Sequence, residues 1–167
     1  MPDRRLKKSS RTDAPPAKPK ARPAKRPRLD IGALDGHLGY FVRRLQVWVF
    51  QDFIRTLASI DISPAQYSVL VVTAANPGAS QSRIGSTLGI ERARLVRLLD
   101  KLETRALIER LASPDDGRSH ALRLTRGGNR TLKRAKALAA SHEARLTEIL
   151  GPERRKALLD GLRNSSR

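Results

Sequence analysis

The side chains best placed for chemistry in this sequence are arginines. Glu91-Arg92-Ala93-Arg94 opens a segment that continues through Arg97 and Lys101; Arg83 precedes it, and Asp116-Gly117-Arg118 follows. Arg43 and Arg44 stand apart, inside a run of aromatic residues. A guanidinium grips phosphate or carboxylate with a rigid fork and reads guanine bidentately, so the chemistry on offer is anion recognition. Little supports covalent catalysis. Cysteine is absent, which removes disulfides, thiolate metal ligands and cysteine nucleophiles. His37, His120 and His142 show no ligand spacing, no paired carboxylates share a face, and no glycine-rich phosphate loop occurs. No enzyme, metal site or cofactor is expected.

The overall charge points the same way. Lys and Arg number 34 against 16 Asp and Glu, a net +18, and the pI is near 11.5. Such a balance selects polyanions: DNA, RNA or an anionic membrane surface. Residues 1–30 hold 11 basic and 3 acidic residues, net +8, with six of the ten prolines. The run APPAKPKARPAKRPR (14–28) has almost nothing to bury, so a disordered basic arm is expected over 1–30. It is either a solvated extension or an arm that touches DNA phosphate or a minor groove; sequence leaves both open. The other 137 residues carry 23 basic and 13 acidic, net +10, so the folded part is basic in its own right. A hydrophobic content of 39% suffices for one packed domain and a second small lobe. No apolar run approaches the roughly 18 residues that span a bilayer. No hydrophobic stretch directly follows the basic N-terminus, so no secretory signal is expected. The expectation is a cytoplasmic protein without a membrane partner.

The elements that position these residues can be read from local signals. From Leu34 to about Ser59 there is no proline, and Phe41, Leu45 and Trp48 form one stripe while Val42, Val49 and Phe53 form another. A helix apolar over so wide an arc needs cover on more than one side, from its own domain and a second subunit. All six aromatic residues (Tyr40, Phe41, Trp48, Phe50, Phe53, Tyr67) lie between positions 40 and 67. They are either core and interface packing or, in part, the lining of a pocket for a flat ligand. Tyr40, Trp48 and Tyr67 are the candidate ring contacts; Arg43 and Arg44 would pair with an anionic ligand or are plain surface charges.

Ser63-Pro64-Ala65-Gln66 has the form of a capping box with proline in the first turn. The helix it starts places Tyr67, Leu70 and Val71 at core spacing and stops at Asn76-Pro77-Gly78. Ser80 starts a short helix, with Ile84 and Leu88 inward and Gly89 at its end. The next helix, over 91–107, carries a core stripe at Leu95, Leu98, Leu99 and Leu102. Arg94, Arg97 and Lys101 fall on its polar side. Two short helices joined by a tight glycine turn, the second basic on its free face, form a helix-turn-helix. The second enters the major groove N-terminus first, which makes Arg92, Ala93, Arg94 and Arg97 the groove-facing residues; Arg83 and Lys101 complete the DNA-binding set.

Residues 107–112 read as a strand, Pro114-Asp115-Asp116-Gly117-Arg118 as a turn, and His120–Thr125 as the returning strand. A hairpin after a recognition helix, with an arginine at its tip, makes a winged helix-turn-helix. Arg118 would enter a minor groove, and Asp116 shapes the tip rather than acting as an acid. Thr125 caps a long helix over 126–149, with Leu132, Leu138, Leu146 and Ile149 among its apolar residues. Gly151-Pro152 breaks it, and a helix over 153–163 carries Leu158, Leu159 and Leu162. These helices need apolar partners that one small winged domain does not supply, so pairing with a second chain is expected.

In order and motif, residues 34–163 resemble the MarR family of bacterial transcription regulators. The carriers are SPAQYSVL (63–70), QSRIGSTLGI (81–90), LVRLLDKLETRALIER (95–110) and PDDGRSHALRLT (114–125). The last is the most specific, an Asp-x-Arg wing tip before a strand ending in Leu-Thr. Many relatives place a second arginine where this chain has Gly117, and serine or threonine where this recognition helix begins Glu91-Arg92-Ala93-Arg94. The resemblance implies a mainly α fold with a small β-hairpin wing (α+β). It divides into the arm 1–30, a dimerisation and effector helix 31–60, a winged helix-turn-helix 61–125 and dimerisation helices 126–167. It further implies a homodimer on a palindromic operator, released by a small anionic, commonly aromatic effector between the dimer helices and the winged domain. The stretch LGYFVRRLQVWVFQDF (38–53) resembles the branch tied to aromatic-compound catabolism, which responds to aromatic acids or their coenzyme A thioesters. The expected function is thus a ligand-responsive repressor. The alternative is a nucleoid-type architectural protein that coats DNA without sequence choice, which the +18 charge also suits.

Overall fold

The computed structural model describes residues 29–112 and 120–165. The described residues 29–36 belong to a separate unit and hold a 3₁₀ turn over Gly32–Gly36. Asp30 accepts the Gly32 N–H there at 2.9 Å. The main unit begins at His37. The sequence predicts a helix from Leu34, but helix α1 runs Leu38–Leu57. His37 is extended (φ −96°, ψ 110°), and Gly36 before it is a poor helix former. The arm expected over 1–30 falls almost wholly outside the described residues, as does the turn with Asp116 and Arg118.

After α1 come a 3₁₀ turn, Ala58–Ile60, and Asp61 in the left-handed region at φ 50°. Helix α2, Pro64–Ala75, starts with the expected capping box: Ser63 Oγ accepts from Gln66 N at 3.2 Å and Gln66 Oε1 accepts from Ser63 N at 2.9 Å. Helix α3 is Gln81–Leu88, α4 is Arg92–Thr104, and the hairpin pairs β1 (Ile108–Ala112) antiparallel with β2 (His120–Leu124). Register sets Ile108 opposite Leu124 and Arg110 opposite Leu122. The stretch before α3 joins the hairpin: Gly78 N donates to Leu122 O and Leu122 N to Ala79 O, at 3.1 and 3.0 Å. Helix α5, Arg126–Leu150, is capped by Thr125, and α6 is Pro152–Ser165.

One core runs through this unit. Leu57 and Ile60, Val69 and Leu70, Ile84, Leu95, Leu99 and Leu102, Ile108, Leu122 and Leu132 are all buried in it. Leu98, expected beside Leu95 and Leu99, is half-buried and lines an open cleft with Ser63, Gln66, Lys101 and Arg105. Its side of α4 meets the polar capping box of α2 rather than an apolar wall. Where α5 begins, glycine is required: a Cβ on Gly128 would lie 1.9 Å from Leu107 O. Helix α1 packs on α5 and α2, yet Phe41, Val42, Val47, Phe50 and Ile54 remain exposed, as do Ile149 on α5 and Leu158 on α6. The wide apolar arc of α1 is therefore covered only in part by its own chain. Among the described residues no single helix is long and apolar enough to cross a membrane.

Candidate nucleic-acid interface and effector face

The basic helix α4 is held by local chemistry at its start. Gly89 adopts φ 61°, Ile90 N donates to Gly85 O at 2.9 Å and Gly89 N to Ser86 O at 3.2 Å. This closes α3 with a left-handed glycine and turns the chain sharply into α4. Gly85 lets the two helices touch, since a Cβ there would come within 2.8 Å of Leu95 Cδ2. Glu91 caps α4: its carboxylate accepts from Ala93 N at 2.9 Å and Arg94 N at 3.2 Å. Those two N–H donors hold the Glu91 carboxyl below its ordinary range. The helix thus carries a charged cap.

Burial of Leu95, Leu99 and Leu102 fixes which side of α4 faces out. Arg92, Ala93, Arg94, Arg97 and Lys101 are all exposed, and so is Arg83 on α3. None of these cations is in a salt bridge with another described residue. Apart from the pull between Arg97 and the Glu91 carboxylate, their charge is open to an external anion. The acids of the same helix are otherwise engaged, because Asp100 and Glu103 both bind Arg110 on β1.

The candidate effector residues divide into two groups. On α1, Arg44 Nη1 donates to Tyr40 Oη at 3.2 Å, and its guanidinium lies 5.5 Å from the Tyr40 ring centroid. Tyr40 and Phe41 meet edge to face at 5.3 Å. Tyr40 and Trp48 are half-buried, while Arg43 and Arg44 are exposed. Tyr67, on α2, meets Phe53 edge to face at 5.4 Å. Burial, then the nearby Glu143 carboxylate, push its hydroxyl pKa up.

Sequence reasoning missed the network behind Phe53. Its ring stacks on His142 at 4.9 Å. His142, 2% exposed, sets Nδ1 2.8 Å from Asp52 Oδ2. Arg145 Nη2 donates to the same oxygen at 2.9 Å and to Thr56 Oγ1 at 2.6 Å. These hydrogen bonds, Arg145 first, hold the Asp52 carboxyl at about 2. The network fastens α1 to α5. His142 looks isolated in sequence because its partner is 90 residues away. Among the described residues no group of three His, Asp or Glu gathers as a metal site.

Comparison with known proteins gives consistent matches. The MarR family model matches residues 60–119, from the turn after α1 through the helix-turn-helix and β1. A protein of Thauera aromatica, assigned to transcriptional regulation of the hcr operon, is 36% identical over 104 residues. That span is 62% of this chain and 63% of the relative, so less than two thirds of that relative is matched. The transcriptional repressor CouR, solved on a 23-mer DNA duplex, is 48% identical, with a TM-score of 0.81 over 84% of this chain and 100% of that one. CouR bound to p-coumaroyl-CoA is 47% identical, with a TM-score of 0.77 over 84% and 99%. The helix-turn-helix closed on Gly85 and Gly89, the hairpin after it, and a likeness spanning the whole of a solved relative show that this chain belongs to the MarR family.

Proposed function

We propose that the protein is a transcriptional repressor that binds a palindromic DNA operator as a homodimer and is released by an aromatic acyl-CoA thioester. The observation that carries this reading is the likeness across the full length of CouR, which has been solved with DNA and with p-coumaroyl-CoA. No comparison supports the nucleoid-type alternative, and the reading includes no enzymatic step. The protein would work in the cytoplasm, where its operator lies.

In this reading Arg92, Ala93, Arg94 and Arg97 face the major groove, with Arg83 and Lys101 at flanking phosphates and Arg118 at the minor groove. The N-terminal helix and residues 126–167 form the dimer: their exposed Phe50, Ile54, Ile149 and Leu158 are apolar area that a second copy would cover. Tyr40, Arg43, Arg44, Trp48 and Tyr67 receive the effector, the rings meeting its aromatic acyl group and the arginines its phosphates.

Release requires the effector to bind one spacing of the two heads better than the other. A physical connection exists. Arg105, at the end of α4, donates through Nη2 to Ile60 O at 3.2 Å and through Nη1 to Asp61 O, and pairs with the Asp61 carboxylate at 3.4 Å. The recognition helix is thereby tied to the segment joining α1 to α2, so a tilt of α1 reaches α4. Fluorescence anisotropy across a salt series tests the DNA assignment. Arg94→Ala and Arg97→Ala should each weaken binding by about 1–3 kcal/mol per groove contact and relax sequence preference, whereas Lys101→Ala, lost from both protomers, should flatten the log Kd against log salt slope by about two. Unchanged affinity in both variants would remove α4 from the groove.

A further inference from the structure

The hairpin carries a charge where its pattern calls for a hydrophobe. Arg110 shares a face of β1 with buried Ile108, and that face meets Leu122 and Leu124 of β2. Its side chain is 20% exposed, and the guanidinium reaches the acids of α4: Nη2 to Asp100 Oδ1 at 2.6 Å and Nη1 to Glu103 Oε2 at 2.8 Å. Its Nε is buried without a hydrogen-bond partner. Desolvating a charge in this way is expensive, and an aliphatic side chain would pack the same face at lower cost. What an aliphatic residue lacks is direction. Two charge-assisted bonds, one turn apart on α4, fix both distance and angle between the strand and the helix.

We propose that Arg110 is a positioning residue for DNA recognition: it clamps β1 to Asp100 and Glu103 and so sets the angle at which α4 and the wing present their cations together. Arg110 touches no DNA in this account. It acts through α4, whose groove-facing residues begin two turns before Asp100, and through β1, which carries the hairpin with β2. Bidentate base contacts tolerate little displacement, so a loosened hinge between helix and wing costs sequence-specific contacts first and phosphate contacts least.

The proposal rests on the DNA-binding reading, and the test separates the two. The probes are a duplex enriched from a random-sequence library by the wild-type protein and a scrambled duplex of equal length. Binding of the full-chain dimer to both is measured across a salt series. Arg110→Gln should lower affinity for the enriched duplex about tenfold, change affinity for the scrambled duplex less than twofold, and leave the salt slope unchanged. Arg110→Lys, which keeps the charge but loses the fork, should stay impaired. The double variant Asp100→Asn/Glu103→Gln removes two negative charges. Bulk electrostatics would tighten its binding, whereas a lost clamp weakens it on the enriched duplex alone, and this variant decides the matter should Arg110→Gln fail to fold. Wild-type affinity in Arg110→Gln, full rescue by lysine, equal losses on both duplexes, a flatter slope, or tighter binding by the double variant would each overturn the proposal. A wild-type protein that enriches no sequence would overturn the operator-binding reading itself, and the proposal with it.

Discussion

The Asp52 carboxylate offers a stability test whose size follows from its surroundings. Asp52→Ala removes the partner of three groups: His142 at 2.8 Å, Arg145 at 2.9 Å and Arg55 at 3.4 Å. The three losses are unequal. Arg55 and Arg145 have side chains 66% and 45% exposed, so water replaces the carboxylate and each loss is under about 1 kcal/mol. His142 is 2% exposed, and a buried ring nitrogen left unpaired costs about 1–3 kcal/mol. The sum is about 2–3 kcal/mol, dominated by His142. At roughly 4 °C per kcal/mol for a domain of this size, Tm should fall by about 8–12 °C at fixed protein concentration.

The pH dependence has a definite sign. The folded carboxyl, at about 2, lies below its ordinary 3.8, so between those values the unfolded chain binds more protons. The Asp52 contribution is complete above about pH 4 and is lost as pH falls through the folded value. Thermal unfolding by circular dichroism should therefore show a Tm gap between wild type and variant that narrows as pH falls below about 4. Asp52→Asn should fall between the two proteins, because an amide oxygen can still accept from His142. A Tm loss under about 2 °C, or a gap that widens on acidification, would refute the assignment of Asp52 as the lock between α1 and α5.

Other expectations concern backbone and surface. Ala106 sits at φ 51°, where glycine is unstrained. Ala106→Gly should stabilise by about 0.5–1 kcal/mol after the added entropy of the unfolded chain, a gain of about 2–4 °C. Gly128→Ala should cost about 3 kcal/mol or more, because the clash at 1.9 Å is with the carbonyl of Leu107, which no rotamer change relieves; chemical denaturation measures both. Phe50→Glu combined with Ile54→Lys should lower the dimer fraction in analytical ultracentrifugation while leaving helix content intact, since both side chains are 52% exposed within one chain.

Much of the fold was legible because its signals are local. Ser63, Ser80 and Thr125 cap the helices they were expected to cap, and Gly89 closes α3 in the left-handed region. The strand-like run 107–112, the turn signals of 114–118 and the alternation in 120–125 announce the hairpin. The start of α1 was misplaced because an apolar pattern continues across Gly36 and His37, where backbone preference overrules it. The cations of α4 could be found from periodicity alone. The groups that orient them could not: Arg110 reads as an ordinary polar residue in IERLA until the register turns it toward Asp100 and Glu103. Asp52 and His142 likewise meet only through tertiary packing. Tyr67, expected on the effector face, has its ring contact with Phe53, and nothing in local spacing announces that pairing.

The central claim is that one dimer couples DNA binding to an aromatic acyl-CoA, and it can be tested in one titration. The full chain is bound to a labelled duplex enriched from a random library, and p-coumaroyl-CoA is added against p-coumarate and free coenzyme A as controls. The account predicts that the thioester alone releases the duplex at micromolar concentration, and that duplex in turn weakens thioester binding by the same factor, as linkage requires. A complex that persists at saturating thioester, with thioester binding demonstrated separately by thermal shift, would contradict it.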